Sequence, residues 1–502
     1  MPLTALDHVV GLATVAFAIA ALILRRRASN SLPLPPGPPK RFIVGNIPDM
    51  PTGQAWLTYE KWAKEYGDIV HLQVGRQDII LLNTYEAAFE LFERRSSQYS
   101  DRADHIMLND FAGFSWSPST MRYGPEWRRH RALLHRMFHP TACAAYVDAE
   151  TRHARALLRR IVRTNVEDPM VHIRHTVGAL VMDITYGIDV AEINDPWLAL
   201  CDNAVEIFSR VAVPGAFLVG ALPFLRYVPE WMPGAGWKRQ AREWKTVVTR
   251  FADAPFEHVR DAMTSGQTYR NCVVSSLLAD FPAPEDSLAV RNVGAIIYAA
   301  GTDTTAAILH IFLLAMVLNP SAQRSAQAEL DALGRLPTLE DRTKLPYLNA
   351  LLKEVLRWHP VQPLNGGHVS TEEDEFRGYR IPKGTSLHSN NWAMFRDERV
   401  YGEDVLAFRP ERFLVPKPPR DANAVFGFGR RACPGRFLAD NIVFLFASYM
   451  LVGFDILPPK DGSPVEARFR SGFFSPPEPF KCELKPRSGP AVQTILQVGA
   501  EE

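Results

Sequence analysis

Apolar residues recur at two spacings along this chain. In KLPYLNALLKEVLRWHP, Leu348, Leu351, Leu352 and Val355 return every three or four positions, the period of an amphipathic helix that stops at Pro360. Glu354 and Arg357 fall on one face of it. Short β-like runs stand apart from such segments: DIVHLQV and DIILLN near the N-terminus, FRGYRIPKGTSLHSN after Glu375, and the stretches around Phe454 and Phe480. They are too short and scattered for a central parallel sheet. The expected fold class is mainly α with minor β sheets.

Two segments are apolar all round. The first, Val9 to Leu24, carries no charge and is followed at once by Arg25, Arg26 and Arg27. A cleaved signal peptide would carry its basic residues before the apolar run. Here they come after it, which predicts a retained transmembrane signal anchor over 5–24, the arginines and all that follows staying cytosolic. SLPLPPGPPK, residues 31–40, then reads as a stiff proline-rich hinge. A single catalytic domain over 41–490 and a tail over 491–502 complete the chain.

The second apolar run, Asn292 to Pro320, is interrupted at its centre by Gly301, Thr302, Asp303, Thr304 and Thr305. Burying those groups in lipid would be costly, so the run is expected to be a core helix and not a second span. Asp303 needs a partner, since an unpaired buried charge is unfavourable. It is either a structural aspartate capped by neighbouring hydroxyls or part of a proton relay on a kinked helix beside a cavity. The segment alone does not decide between them.

Composition narrows the chemistry. The chain has 502 residues and is 47% hydrophobic, enough for a large core. Its 56 basic and 55 acidic residues give a net charge of +1, so no global field points to nucleic acid. The five cysteines are scattered and include no C-x-x-C pair, which excludes a disulfide framework and a zinc site of that type. No N-x-S/T sequon has a residue other than proline in the middle, as expected of a cytosolic body with reduced thiols.

One cysteine is distinctive. In FGFGRRACPGR, Cys433 lies between a glycine-arginine loop and the apolar run FLADNIVFLFASYML. A helix N-terminus and nearby guanidinium groups lower a thiol pKa, and Gly427, Gly429 and Gly435 allow tight turns beside a flat ligand. Three readings stand open at this point: a buried structural cysteine, a catalytic nucleophile and an axial ligand to haem iron. A nucleophile would want a histidine base with a family-type signature, and none is evident.

These residues resemble the cytochrome P450 superfamily of haem-thiolate monooxygenases. Phe426, Gly429, Arg431, Cys433 and Gly435 match its F-x-x-G-x-R-x-C-x-G loop in full, and AGTDTT (300–305) is similar to its central-helix motif. Glu354 and Arg357 match its E-x-x-R, FRPERF supplies Arg412, and WRRHR matches W-x-x-x-R with Trp127 and Arg131. The anchor and hinge are similar to the microsomal branch, and the overall texture to fungal members. The resemblance implies the P450 fold and haem b (iron protoporphyrin IX), with Cys433 as its axial thiolate. It implies that Trp127, Arg131, Arg431 and His368 face the haem propionates, and that Phe426, Gly429 and Gly435 shape the loop. The family commonly has proline just before the position of His368, where this chain has Gly366 and Gly367.

Further implications follow from the same resemblance. Asp303 and Thr304 would be the catalytic acid-alcohol pair, and Glu354, Arg357 and Arg412 a structural cluster. Oxygen would be activated with electrons from a separate NADPH-cytochrome P450 reductase, for which Arg128 and Arg129 offer a docking patch. The pocket would be lined from 101–123, 205–240, the central helix, 361–367 and the turn at Ser471, stretches holding Phe111, Phe114, Phe208, Phe217, Leu364, Phe473 and Phe474. The 216–237 stretch is apolar enough to dip into a membrane surface. The expected location is the endoplasmic reticulum membrane, single-pass, with a lipophilic substrate: a terpenoid or polyketide intermediate of fungal secondary metabolism, or alternatively a xenobiotic. A peroxide-rearranging haem enzyme would normally lack the acid-alcohol pair, and a haem-binding non-enzyme would not take up oxygen with a reductase.

Overall fold

The structure, a computed structural model, describes residues 32–164, 168–212 and 217–487. The anchor over 5–24 and the tail over 491–502 lie outside the described residues. The helices that frame the site are α1 (Pro125–Phe138), α2 (Val147–Thr164), α3 (Pro169–Tyr186), α4 (Pro196–Val211), α5 (Gly236–Ser265), α6 (Pro284–Leu318), α7 (Pro346–Trp358) and α8 (Arg436–Gly453).

Local chemistry sets their ends. α7 starts with Pro346 in its first turn, where a missing N–H costs nothing, and the Glu329 carboxylate accepts the exposed N–H groups of Tyr347 and Leu348. It stops at Trp358 because His359, before Pro360, is held extended. α3 is capped by the Asp168 side chain and ends on Gly187 at φ 65°.

α6 and α8 are long and apolar enough to cross a membrane, yet 72% of each apolar window is buried inside the protein. They are core helices. α6 runs unbroken for 35 residues, so the expected interruption at 301–305 is chemical, with no break in the helix. α6 packs against α3, α8 and α5 in one continuous apolar core.

The β structure is peripheral. Strands β1 (Ile69–Val74), β2 (Gln77–Leu82), β3 (His368–Val369), β4 (Asp374–Phe376), β5 (Tyr379–Ile381) and β6 (Ser386–Ser389) form a four-stranded sheet in the order β1-β2-β6-β3 and a β4-β5 hairpin. β1-β2 and β6-β3 are antiparallel, whereas β2-β6 is parallel. β7 (Phe454–Leu457) pairs with β8 (Glu483–Pro486), slightly beyond the run expected around Phe480. The single run expected after Glu375 is divided between two sheets, because Arg377 and Gly378 adopt positive φ at the hairpin tip and a turn at Pro382–Gly384 separates β5 from β6.

The proline-rich segment does not stand free of the body. Pro33, Pro36 and Pro38 accept hydrogen bonds from the Arg380 N–H, the His71 N–H and the Asn46 amide. A Cβ at Gly37 would lie 2.0 Å from the His71 carbonyl oxygen, so only glycine fits where the segment crosses the sheet.

Candidate active site

Cys433 lies two residues before Gly435, the N-cap of α8, and its own N–H donates to the Phe426 carbonyl at 2.7 Å. Gly427 and Gly429 turn the loop at φ 76° and 54°. A Cβ on Gly429 would meet the Phe92 carbonyl oxygen at 2.1 Å, so this glycine is required by contact as well as by conformation. Gly435 differs: its φ is −87°, and a Cβ there would meet nothing within 4 Å. Its backbone does not demand glycine, and there is open space on its Cβ side at the start of α8.

The thiol is not acidic as the loop pattern predicted. Burial pushes the Cys433 pKa up, outweighing the Gly435 N–H, Arg131 and Arg436, which pull it down. A thiolate here therefore wants a cation directly upon it. The other four cysteines are free and buried.

Beside the loop, guanidinium groups collect with few acids to match them. Arg131 on α1 makes no hydrogen bond or ion pair among the described residues; burial lowers its pKa, Cys433 pulls it back up and Arg436 lowers it further. Arg431 donates to the carbonyls of Ser100, Pro118 and Met121, and its guanidinium carbon lies 4.3 Å from the Trp127 ring centroid. Burial, with Arg102 and Arg131 close by, lowers it to about 9. Arg102, which no motif marked, donates only to carbonyls. The adjacent Asp101 is already paired with Arg122 and the Tyr123 N–H. Three guanidinium groups against one engaged carboxylate make a site for a multiply charged anion.

His368 is buried on β3, its ring stacked on Phe92 at 4.1 Å. Its Nδ1 lies 2.6 Å from the Tyr99 carbonyl oxygen, so Nδ1 carries a proton. Burial, then Arg102 and Arg431, hold its pKa well below normal, so the neutral ring leaves Nε2 as an acceptor.

A cavity of about 730 Å³ opens between the cysteine loop, α6, α7 and α8, lined in part by Phe426, Ile308, Leu352, Ala439 and Val443. Ile308 is the central-helix residue that lines it; Thr304, one turn earlier, donates Oγ1–H to the Ala300 carbonyl at 2.7 Å. The partner of Asp303 is not a neighbouring hydroxyl but Arg174 on α3, which also reaches Asp202 on α4 at 2.8 Å. Nothing in the spacing around 303 signalled either residue.

The structural cluster assembles as expected. Glu354 and Arg357 form a doubly hydrogen-bonded pair at 2.7 and 2.8 Å, and Arg412 Nε adds a bond at 3.1 Å. Glu354 and Arg357 are wholly buried and Arg412 nearly so; the arginines also donate to carbonyls from 395 to 407.

Of the expected pocket aromatics, Phe114, Phe208, Phe473 and Phe474 form a chain with ring centroids 4.9 to 5.6 Å apart. Phe111 and Phe217 pack on Trp237 and Trp244 of α5, and Leu364 joins the cluster under β1 and β2. Arg129 pairs with Asp286, while Arg128, the other member of the suggested docking patch, is exposed with its guanidinium over the Tyr123 ring.

Comparison with known proteins agrees with this geometry. The family description "cytochrome P450" matches residues 35–484. The chain is 40% identical to cytochrome P450 monooxygenase 208 of Postia placenta, covering 96% of both chains. It is 37% identical to tryptamine 4-monooxygenase of Psilocybe cyanescens, over 94% of this chain and 96% of that protein. It is 38% identical to the cytochrome P450 monooxygenase eriA of Hericium erinaceus, over 93% and 91%. A cysteine loop bordering a cavity, a cradle for an anion and a match over most of the length agree: the chain belongs to the cytochrome P450 superfamily and is a haem-dependent monooxygenase.

Proposed function

We propose that this protein is a membrane-anchored monooxygenase that inserts one oxygen atom of O2 into a lipophilic small molecule. NADPH-cytochrome P450 reductase supplies the electrons. The reading rests on one observation: Cys433, half-buried in a loop that borders a cavity, sits beside guanidinium groups whose charge only one carboxylate among the described residues, the already engaged Asp101, offsets. A haem with two propionates supplies both missing charges, the iron for the thiol and the carboxylates for the arginines.

In this reading Cys433 would supply the thiolate that holds the haem iron. Arg131, Arg431 and the Trp127 indole would hold the propionates, and His368, neutral and bonded through Nδ1 to the Tyr99 carbonyl, lines the same side of the site. Phe426 and Gly435 leave room for the flat ring. When bound, the haem activates oxygen; the protein positions substrate, excludes water and delivers protons. Thr304 Oγ1, now on the Ala300 carbonyl, and Asp303, now on Arg174, would be the chain's own groups that hold and pass protons on the central helix.

The aromatic chain from Phe114 to Phe474 favours a lipophilic substrate. Leu218, Phe224, Tyr227 and Trp231 are 61 to 80% exposed on one stretch, which favours contact with a membrane where such a substrate partitions. The anchor over 5–24 places the protein in the endoplasmic reticulum membrane with its catalytic body cytosolic. The substrate is a terpenoid or polyketide intermediate of fungal secondary metabolism; the relative named for tryptamine supports small-metabolite oxidation in this branch.

The deciding measurement is the carbon monoxide difference spectrum of the reduced protein. Wild type is expected to show the red-shifted Soret band of thiolate ligation and Cys433→Ser to lose it. Retention of that band in the variant refutes the assignment.

A further inference from the structure

The loop that carries Cys433 is held by more than its own turns. Gly429 is its pivot: the Gly429 carbonyl accepts the Ala432 N–H at 3.2 Å, and the next residue, Cys433, donates to the Phe426 carbonyl. The Gly429 N–H leaves the loop. Its acceptor is a carboxylate oxygen, Oε2 of Glu93, at 2.5 Å and 336 positions away in the chain.

Glu93 belongs to the short π-helix Phe89–Arg94. Such wide turns recur at functional sites, where they aim side chains that a regular helix would direct elsewhere. This one lies flush against the loop, since the Phe92 carbonyl is the group that a Cβ on Gly429 would strike. Phe92 also stacks on His368, so one helix touches both the cysteine loop and β3. An exposed acid between two arginines would ordinarily pair with them. Glu93 does not: Arg94 and Arg95 both turn to Glu90, at 3.1 and 3.5 Å, and among the described residues Glu93 forms no ion pair. Its carboxylate is given to the backbone of the loop instead.

We propose that Glu93 is a positioning residue for the cysteine loop: by accepting the Gly429 N–H it pins the loop to the Phe89–Arg94 helix and so fixes how Cys433 presents its sulfur. It acts as a hydrogen-bond acceptor, and its charge strengthens the bond without being required. When Glu93 is removed, water takes the N–H, so the loop loses a tether and not a bond partner. The importance of the tether rests on the haem-site reading; its existence does not.

The test uses the full-length, haem-loaded protein. In Glu93→Ala, amide hydrogen exchange over 427–433 should quicken about fivefold or more, while α7 and α8 stay protected. The carbon monoxide band of thiolate ligation should form and then decay on mild warming at least about threefold faster than in wild type. Its loss in urea should move to lower concentration while the tryptophan fluorescence transition, which reports the whole body, stays close to wild type. Glu93→Gln offers an amide oxygen at the same reach without the charge, and should return most of the protection and most of the lifetime. Glu90→Ala removes a carboxylate from the same helix but no bond to the loop, and should leave both unchanged.

Unchanged exchange over 427–433 in Glu93→Ala overturns the tether. A fluorescence transition that shifts together with the band also overturns it, because a general stabiliser moves both. If Glu93→Gln behaves as Glu93→Ala, charge and not the acceptor is at work, and the proposal fails. If Glu93→Ala takes up no haem, Glu93→Gln must restore the haem-loaded yield; failure there refutes the proposal. Absence of the thiolate band in wild type would instead defeat the haem reading, while exchange at Gly429 would still decide the tether.

Discussion

Arg174 on α3 places two donors on a single carboxylate oxygen of Asp303 on α6, at 2.7 and 3.0 Å, and extends a third to Asp202 on α4. The acid of the central helix is thereby tied to two neighbouring helices. Arg174→Gln shortens the side chain and removes its charge, leaving two carboxylates without their shared partner. We expect a loss of about 1–3 kcal/mol in chemical denaturation of the haem-loaded protein. Coupling of reductant to product should also fall, because Asp303 no longer has the partner that holds its carboxylate in place. Unaltered stability and coupling would show the pair to be incidental.

Thr304 tests the relay from the other side. Its hydroxyl donates back to the Ala300 carbonyl, a bond whose loss alone costs about 1 kcal/mol. If that were its whole role, Thr304→Ala would be slightly less stable and normally coupled. The expected result is normal haem content and substrate-induced spectral shift with electrons diverted to hydrogen peroxide, and Thr304→Ser restoring most of the coupling. NADPH consumed, peroxide released and product formed, measured on one substrate, decide between the two.

Glu354 carries a different kind of consequence. It is the shared acceptor for Arg357, Arg412 and the Arg409 N–H, and it is wholly buried. Glu354→Ala strands two buried guanidinium groups, which costs about 3–5 kcal/mol. The variant should express mostly without haem and show no carbon monoxide band. Glu354→Asp, retaining the charge on a shorter arm, should recover part of the folded yield. Normal haem incorporation in Glu354→Ala would refute a structural role.

Glu150 on α2 gives a pH dependence. It is fully buried, and neither carboxylate oxygen accepts a well-formed hydrogen bond among the described residues, although Asn441 and Arg342 lie near. Burial raises its pKa to about 8 against their pull. A raised carboxylate stabilises the fold while it stays protonated, so the full benefit exists below the unfolded pKa near 4.5 and is lost as pH rises through 8. Glu150→Gln, a neutral isostere of the acid form, should be more stable than wild type at pH 7, by at most about 3 kcal/mol. The difference should vanish below pH 4.5. Denaturant midpoints of both proteins across pH 4–8 measure it, and parallel curves would rule the effect out.

Much of the site was legible because its chemistry is local. Cys433, Gly429 and Arg431 occupy one loop of eleven residues, Glu354 and Arg357 one helical turn, and Trp127 and Arg131 another. The 3.6-residue period places such neighbours on a common face wherever the helix sits. The apolar run at 292–320 likewise announced a helix buried on all sides, and α6 is that helix.

What the sequence determined by itself was therefore the family, the cofactor it takes, the mainly helical fold and the residues whose neighbours lie within a turn or two. Only the tertiary structure decided the partners across the chain. Arg174 meets Asp303 over 129 positions, and Arg102 meets Gly367 over 265. The acidity of Cys433 was misjudged for the same reason: the sequence displays the arginines and helix N-terminus that lower a thiol pKa, but not the burial that outweighs them. Periodicity and short motifs record which side chains share a face. Desolvation and long-range pairing depend on how the closed chain brings those faces together, and no local spacing encodes that.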